Sequence, residues 1–402
     1  MPTSSLFRPG SLALVALIGT WFGIGPIATD MFLPALAALP GIFSVDVPTA
    51  QQTMSVYLAG FALGQLIYGP VADRLGRRPA IIGGALLFSA ASFACALAPS
   101  IETLIGGRFV QAIGTAFGLV LGRAVIRDLH QPAQMPRMVA LASIIMASTT
   151  LISPSIGAQL LGGFGWWSIF VFHGVYALAI AVVVLLWFPE SVPKLDPTAI
   201  RPLQTLRNFG GLLTDPVFAS YAVSVSLVYG VLFTFLTSAP FVFIRQLGLS
   251  PAEFGLVFIP IALTNMVSSA VAARVTRRGP SARLYGTVLA LLAAGMGLAV
   301  VATTVGLFGV VTMIVIMIAF SATMGFIVPL GFAGALAPHP MIAGTASTLI
   351  GLLQAVVGAL AAQMVGVFYD DSPRPVVWQF LTLATLALAL FLVLRRREPA
   401  RG

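Results

Sequence analysis

The sequence predicts an all-α membrane protein with twelve transmembrane helices in two six-helix halves. Three observations predict it. Of 402 residues, 58% are hydrophobic and 8% charged, with a mean hydropathy of +1.01, far outside the range of water-soluble domains. Charges, prolines and glycines divide the chain into apolar runs near the roughly 20 residues that cross a bilayer. Basic residues also cluster in alternate loops, as the positive-inside rule requires. The formal charge of +9 is therefore a topology signal and not a nucleic-acid footprint, because the arginines sit in short clusters between apolar runs.

The first run, 12 to 39, follows Arg8 and stays apolar too long for a secretory signal, so it reads as span 1. Span 2, 50 to 68, opens at Thr49 with Gln52 at capping-box spacing. Span 3 covers 79 to 98, and Ser100 with Glu102 opens span 4, 101 to 126. Spans 5 and 6 cover 138 to 161 and 167 to 188. A polar stretch from Pro189 to Pro216 holds Lys194, Arg201 and Arg207. Span 7 follows at 217 to 244, and the box Ser250-Pro251-Ala252-Glu253 opens span 8, 253 to 273. Spans 9 to 12 cover 282 to 304, 307 to 330, 342 to 368 and 376 to 394. This divides the chain into an N-terminal six-helix bundle, 1–188, a cytoplasmic linker, 189–216, and a C-terminal six-helix bundle, 217–402.

With both termini cytoplasmic, all but three of the 21 basic residues face the cytoplasm or lie at its boundary. The exceptions are Arg245 and Arg374 outside and Arg108 within span 4. Glu102 and Glu253 read as helix-start residues, and Asp46, Asp370 and Asp371 as outer-loop residues without a special role. Asp30 is thereby isolated as the one carboxylate well inside an apolar segment, and an intramembrane acid marks an ion pathway by default.

Catalytic inventories are empty. The lone Cys95 excludes an intrachain disulfide and a thiolate metal site, and Lys194, the only lysine, excludes a Gly-Lys-Ser/Thr phosphate loop. There is no His-Glu-x-x-His pair and no nucleophile elbow, so no enzyme activity, metal or cofactor is expected. Gly23-Ile24-Gly25-Pro26 mimics a dinucleotide fingerprint but lies within an apolar helix, with no strand to precede it.

The halves echo each other. Gly69-Pro70-Val71-Ala72-Asp73-Arg74-Leu75-Gly76-Arg77-Arg78-Pro79 between spans 2 and 3 has a weaker counterpart in Arg274-Val275-Thr276-Arg277-Arg278-Gly279-Pro280 between spans 8 and 9. A duplicated six-span unit is the plan of a transporter that rocks about a central site.

These motifs resemble the major facilitator superfamily over nearly the whole chain. The Gly69 to Pro79 run is similar to its cytoplasmic loop signature, and Arg108-Phe109-Val110-Gln111-Ala112-Ile113-Gly114 to its fourth-helix arginine motif. Thr29-Asp30-Met31-Phe32-Leu33-Pro34, Arg123-Ala124-Val125-Ile126-Arg127-Asp128 and Ala343-Gly344-Thr345-Ala346-Ser347 resemble the bicyclomycin and chloramphenicol resistance branch of drug/proton antiporters. The resemblance implies antibiotic resistance through efflux of small neutral or lipophilic drugs across a bacterial inner membrane in exchange for protons. The alternative is a proton-coupled transporter of a dedicated solute such as a sugar or nucleoside, which should show convergent polar groups. Gln65, Gln111, Asn265, Gln354 and Gln363 are scattered along the chain. A monomer suffices for this plan.

Asp30 lies about 18 residues into span 1, roughly 27 Å from its cytoplasmic start, and Arg108 lies about 7 residues, roughly 10 Å, from the outer start of span 4. The two are expected to form a proton-coupling pair, direct or through water: burial disfavours the carboxylate and a guanidinium favours it. Asp73 is expected against the amino end of span 11 near Gly344, where free N–H groups and the helix dipole attract an anion. With Gly69, Arg74, Gly76, Arg77 and Asp128 it would form a conformational latch. Spans 1, 4, 7 and 10 line the central cavity in the superfamily, which implies Trp21, Phe22, Phe32, Gln111, Phe117, Tyr229, Phe233 and Phe320 as the substrate cavity here. The fifth-helix antiporter stretch keeps Pro154 and Gly157 and lacks two of its glycines. Gly114, Gly118 and Gly122 form a bare stripe for close helix packing, and His173 reads as a hydrogen-bonded packing residue rather than a proton relay.

Overall fold

The computed structural model describes Phe7, Leu195 and residues 10–131, 134–192, 202–275, 281–339 and 342–395. Arg8, Lys194, Arg201, Arg396, Arg397, Arg401 and the second-half loop 276–280, with Arg277 and Arg278, lie outside the described residues. Among the described residues, twelve helices are long and apolar enough to cross a membrane. They are span 1, Leu12–Leu36; span 2, Val47–Leu75; span 3, Arg77–Ala96; span 4, Ile101–Leu129; span 5, Arg137–Phe164; span 6, Trp167–Trp187; span 7, Pro216–Gln246; span 8, Pro251–Val275; span 9, Ala282–Thr304; span 10, Val310–Leu336; span 11, Ala343–Val367; and span 12, Arg374–Arg395. The chain divides into two compact units, Met1–Arg201 and Pro202–Gly402.

Three spans are irregular. Span 1 is helical to Asp30, turns through Met31 and Phe32, and resumes at Leu33–Leu36. Pro34 explains the break, because it has no N–H to donate to the carbonyl four residues earlier. Span 4 is interrupted at Ala116, between helices Ile101–Thr115 and Phe117–Leu129. Span 7 passes after Pro240 into a six-residue π-helix, Phe241–Gln246.

Helix starts follow local chemistry, with one correction. The Ser250–Glu253 box forms in both directions: the Glu253 carboxylate accepts from the Ser250 N–H at 2.8 Å and the Ser250 hydroxyl accepts from the Glu253 N–H at 3.2 Å. Ser100 caps span 4 by accepting from the Thr103 N–H. Span 2 does not start at Thr49. Asp46 is its N-cap, accepting from the Thr49 N–H at 2.9 Å, and the helix begins at Val47 with Pro48 in its first turn. Asp46 therefore has a structural role. The Thr49 hydrogen bonds hold its carboxyl below the usual carboxylate range. The polar stretch after span 6 is not all loop either: Pro202–Thr214 is a helix.

Glycines set the close approaches inside the first unit. A Cβ on Gly114 would meet the Phe88 backbone of span 3, one on Gly118 the Trp21 carbonyl of span 1, and one on Gly122 the Phe22 ring. The stripe is a packing face. Span 5 approaches span 1 equally closely, with Gly19 under Ile145, Gly23 under Thr149 and Gly157 against the Met31 carbonyl.

Candidate functional site

The carboxyl end of the first helix of span 1 organises a buried polar cluster. The last four carbonyls of a helix lack intrahelical partners and carry its negative dipole end. Here Ala28 and Ile27 offer their carbonyls to other spans. Arg108 of span 4 donates through Nη1 to the Ala28 carbonyl at 3.0 Å, and His173 of span 6 holds its Nε2 3.0 Å from the Ile27 carbonyl. Arg108 Nη1 also donates to Gln111 Oε1 at 2.6 Å. Gln111 Nε2 donates to Ser92 Oγ at 2.7 Å and lies 3.4 Å from His173 Nδ1.

Aromatic rings enclose the guanidinium. Its Cζ lies 4.1 Å from the Tyr57 ring centroid and 4.7 Å from that of Phe32, with Phe170 at 5.9 Å. Arg108 Nη2 touches Met54 Sδ at 3.8 Å, while Nε has no hydrogen-bond partner. A charge in a dry bundle needs such compensation, and cation–π faces with helix-end carbonyls supply it.

Asp30 is 5% exposed and accepts at Oδ1 from the Thr29 hydroxyl at 2.8 Å. Among the described residues no direct ion pair within 4.0 Å joins Asp30 to Arg108. Among the described residues the ion pairs within 4.0 Å join Arg77 to Asp73 and Asp128, Arg127 to Asp128, and His339 to Asp215. The freed Ala28 carbonyl and the Gln111 amide oxygen share Nη1 of the guanidinium. Gly157 packs on the Met31 carbonyl, one residue beyond Asp30. Pro154 lies within the same span-5 helix, one turn earlier.

The remaining cavity candidates are dispersed through the packing of their own units. Trp21 meets Phe188 edge-on at 5.5 Å, and its Nε1 has no partner. Phe22 lies under Gly122, Phe32 against Phe170 at 5.3 Å, and Phe117 against Gly84 and Tyr68. In the second unit Phe233 packs on Gly358, Phe320 is buried and Tyr229 is half-buried. Of the eight, Phe32 and Gln111 contact Arg108 directly.

A second cluster sits at the other end of spans 2 to 4. Arg77, 3% exposed, donates through Nη1 to Asp73 at 2.6 Å and through Nε to Asp128 at 2.8 Å. Gly76 adopts a φ of +104°, a region that favours glycine. Gly69 has open space around its Cβ position, Arg74 lies in the last turn of span 2, and Gly344 is in the first turn of span 11. Glu190, just past span 6, was not singled out from the sequence. Its Oε1 accepts from the N–H groups of Arg77, Ser191 and Val192, and its Oε2 from that of Arg78. It thus caps span 3 from 113 residues away. The signal available was an acid immediately after an apolar run, with two arginines opening another.

Comparison with known proteins follows the same architecture. A family profile described as Major Facilitator Superfamily matches residues 15–362. A Bacillus subtilis (strain 168) protein named uncharacterized MFS-type transporter YdgK is 30% identical over 392 residues, covering 96% of both chains. A Pseudomonas aeruginosa chloramphenicol resistance protein is 28% identical, covering 98% of this chain and 94% of its own. A Haemophilus influenzae (strain ATCC 51907 / DSM 11121 / KW20 / Rd) bicyclomycin resistance protein homolog is 27% identical, covering 98% and 99%.

Proposed function

Because the chain belongs to the major facilitator superfamily, we propose that it is a proton-coupled exporter of small neutral or lipophilic drugs, phenicol- or bicyclomycin-like, across the bacterial inner membrane. The observation that carries this reading is Asp30: a buried carboxyl at the broken end of span 1, whose last turn also binds an arginine through the Ala28 carbonyl. The acid takes a proton from the outside and releases it inside, and drug occupies the state with the opposite protonation.

In this reading both termini are cytoplasmic and the protein acts as a monomer. The bundles 1–188 and 217–402 alternate access, joined by the cytoplasmic linker 189–216. Asp73, whose side chain is 45% exposed, works with Arg77 and Asp128 as the conformational latch. The family's cavity positions, including Trp21, Phe22, Phe117, Tyr229, Phe233 and Phe320, supply aromatic surface for apolar drugs.

The energetics suffice. Each charge gains about 2.3 kcal/mol per 100 mV and each pH unit adds about 1.4 kcal/mol, so one proton sustains a drug gradient on the order of a hundredfold. The relatives named for chloramphenicol and bicyclomycin resistance support the drug class. The test is a resistance and accumulation profile in cells expressing the chain, with and without an uncoupler. Reduced chloramphenicol or bicyclomycin accumulation that the uncoupler abolishes supports the reading. Unchanged accumulation of drugs alongside proton-dependent sugar or nucleoside flux contradicts it.

A further inference from the structure

We infer that His173 is a positioning residue for the proton site: by holding the Ile27 carbonyl and engaging Gln111, it keeps Arg108 clamped on the last turn of span 1 and away from the Asp30 carboxylate. The inference rests on the reading of Asp30 as the proton carrier.

The donors and acceptors run in one direction. A carbonyl only accepts, so the His173 nitrogen 3.0 Å from Ile27, Nε2, carries the hydrogen. Nδ1 is then an acceptor and faces the Gln111 amide nitrogen at 3.4 Å. The guanidinium only donates, which fixes Gln111 with Oε1 toward Arg108 and Nε2 toward Ser92 and His173. Every polar atom of the Gln111 amide is thus committed, Oε1 to Arg108 and Nε2 to Ser92 and to the acceptor at His173 Nδ1. His173 is fully buried, with Phe88 and Phe170 around its ring, so water does not substitute for either partner. The imidazole is a spacer that spans two helices at once and is neutral in this arrangement.

Arg108 keeps an unpartnered donor at Nε, and its bond to Gln111, the shortest in the cluster, ties its position to that amide. The other groups packed around this end of span 1 offer Asp30 no competing charge among the described residues. Span 6 brings His173 and Tyr176, whose hydroxyl donates to the Thr20 carbonyl. Span 5 brings Gly157, and its one charged residue, Arg137, is at the opposite end. Arg123, Arg127 and Asp128 lie at the far end of span 4, and span 2 brings Tyr57 under the guanidinium. Among the described charges of the first unit, Arg108 is the one that belongs to the polar cluster at this end of span 1. His173, through Gln111, sets where that charge points.

Loss of the imidazole frees Gln111 to turn and releases Arg108 toward Asp30, where an opposite charge favours the carboxylate. The readout is modification of Asp30 by a hydrophobic carbodiimide, which attacks protonated carboxyls, followed by mass spectrometry across pH. The full chain is reconstituted in liposomes as wild type, His173→Leu, His173→Gln and His173→Asn, with Asp30→Asn as the unlabelled control. The labelling midpoint of His173→Leu falls by about one pH unit or more relative to wild type. His173→Gln, whose amide extends as far as Nε2 and donates to Ile27, stays closer to wild type than His173→Asn, which is too short.

Coincident midpoints for wild type and a folded His173→Leu overturn the inference. Should His173→Leu fail to insert, the Gln and Asn variants decide: a lower midpoint for Asn supports it, and coincident or reversed midpoints overturn it. The readout needs no drug. Failure of drug export with a shifted His173→Leu midpoint therefore removes the export reading alone, and absence of any pH-dependent label on wild-type Asp30 removes both.

Discussion

Arg108 reaches the carbonyl of Ala28 at 3.0 Å and leaves the carboxylate of Asp30, two residues on, to the Thr29 hydroxyl. The arginine thus binds the backbone of span 1 instead of its acid. Under the proposed function, the acid changes protonation without a buried ion pair having to be pulled apart, a step that leaves an uncompensated charge.

Arg108→Lys tests that role of the planar fork. A lysine ammonium keeps the charge but does not reproduce a flat cation stacked between Tyr57 and Phe32 while donating to Ala28 and Gln111. Proton-dependent drug efflux per molecule of inserted protein falls at least about tenfold, equivalent to about 1.4 kcal/mol. Activity above half of wild type contradicts it.

Gly157→Ala tests the approach of span 5 to span 1. Its Cβ falls on the Met31 carbonyl, a backbone group that has no rotamer to escape into. The substitution destabilises by about 1–3 kcal/mol, read as a lower melting temperature in detergent. Gly83→Ala, with nothing near its Cβ position, is neutral or stabilising because alanine is the better helix former.

Asp46→Ala removes the N-cap of span 2. The carboxyl is held below its usual range by Thr49, so its contribution is present at neutral pH and lost as pH falls through that lowered value. The melting temperatures of variant and wild type therefore differ at pH 7 and converge below about pH 4. A pH-independent difference contradicts the capping charge.

Glu190→Gln replaces one of two acceptor oxygens at the start of span 3 with a donor facing N–H groups. The cost is about 1 kcal/mol, in the range of lost helix caps, and thermal unfolding reports it. An unchanged melting temperature removes Glu190 from the cap.

The twelve spans were legible because a bilayer imposes a length on every apolar run, and the Ser250–Glu253 box because capping spacing is local. The start of span 2 was misread: Thr49 and Gln52 match a box, yet Asp46 before Val47-Pro48 accepts the bond. Asp30, Arg108 and Gln111 stood out by type, but the partner of Arg108 did not, since a backbone carbonyl freed by a turn at Met31 and Phe32 has no signature of its own. Glu190 was beyond local reading for a related reason, and His173 was read as hydrogen-bonded but without its partners. Their partners are 113 and 146 residues away, and only the packed bundle brings them together.

Proton movement in sealed proteoliposomes after addition of chloramphenicol, compared between wild type and Asp30→Asn, joins the acid to transport in one recording. The wild type moves protons on drug addition, and the Asn variant, inserted to the same level, moves none. Equal proton movement in both, or drug export by the variant at the wild-type rate, contradicts the assignment of Asp30.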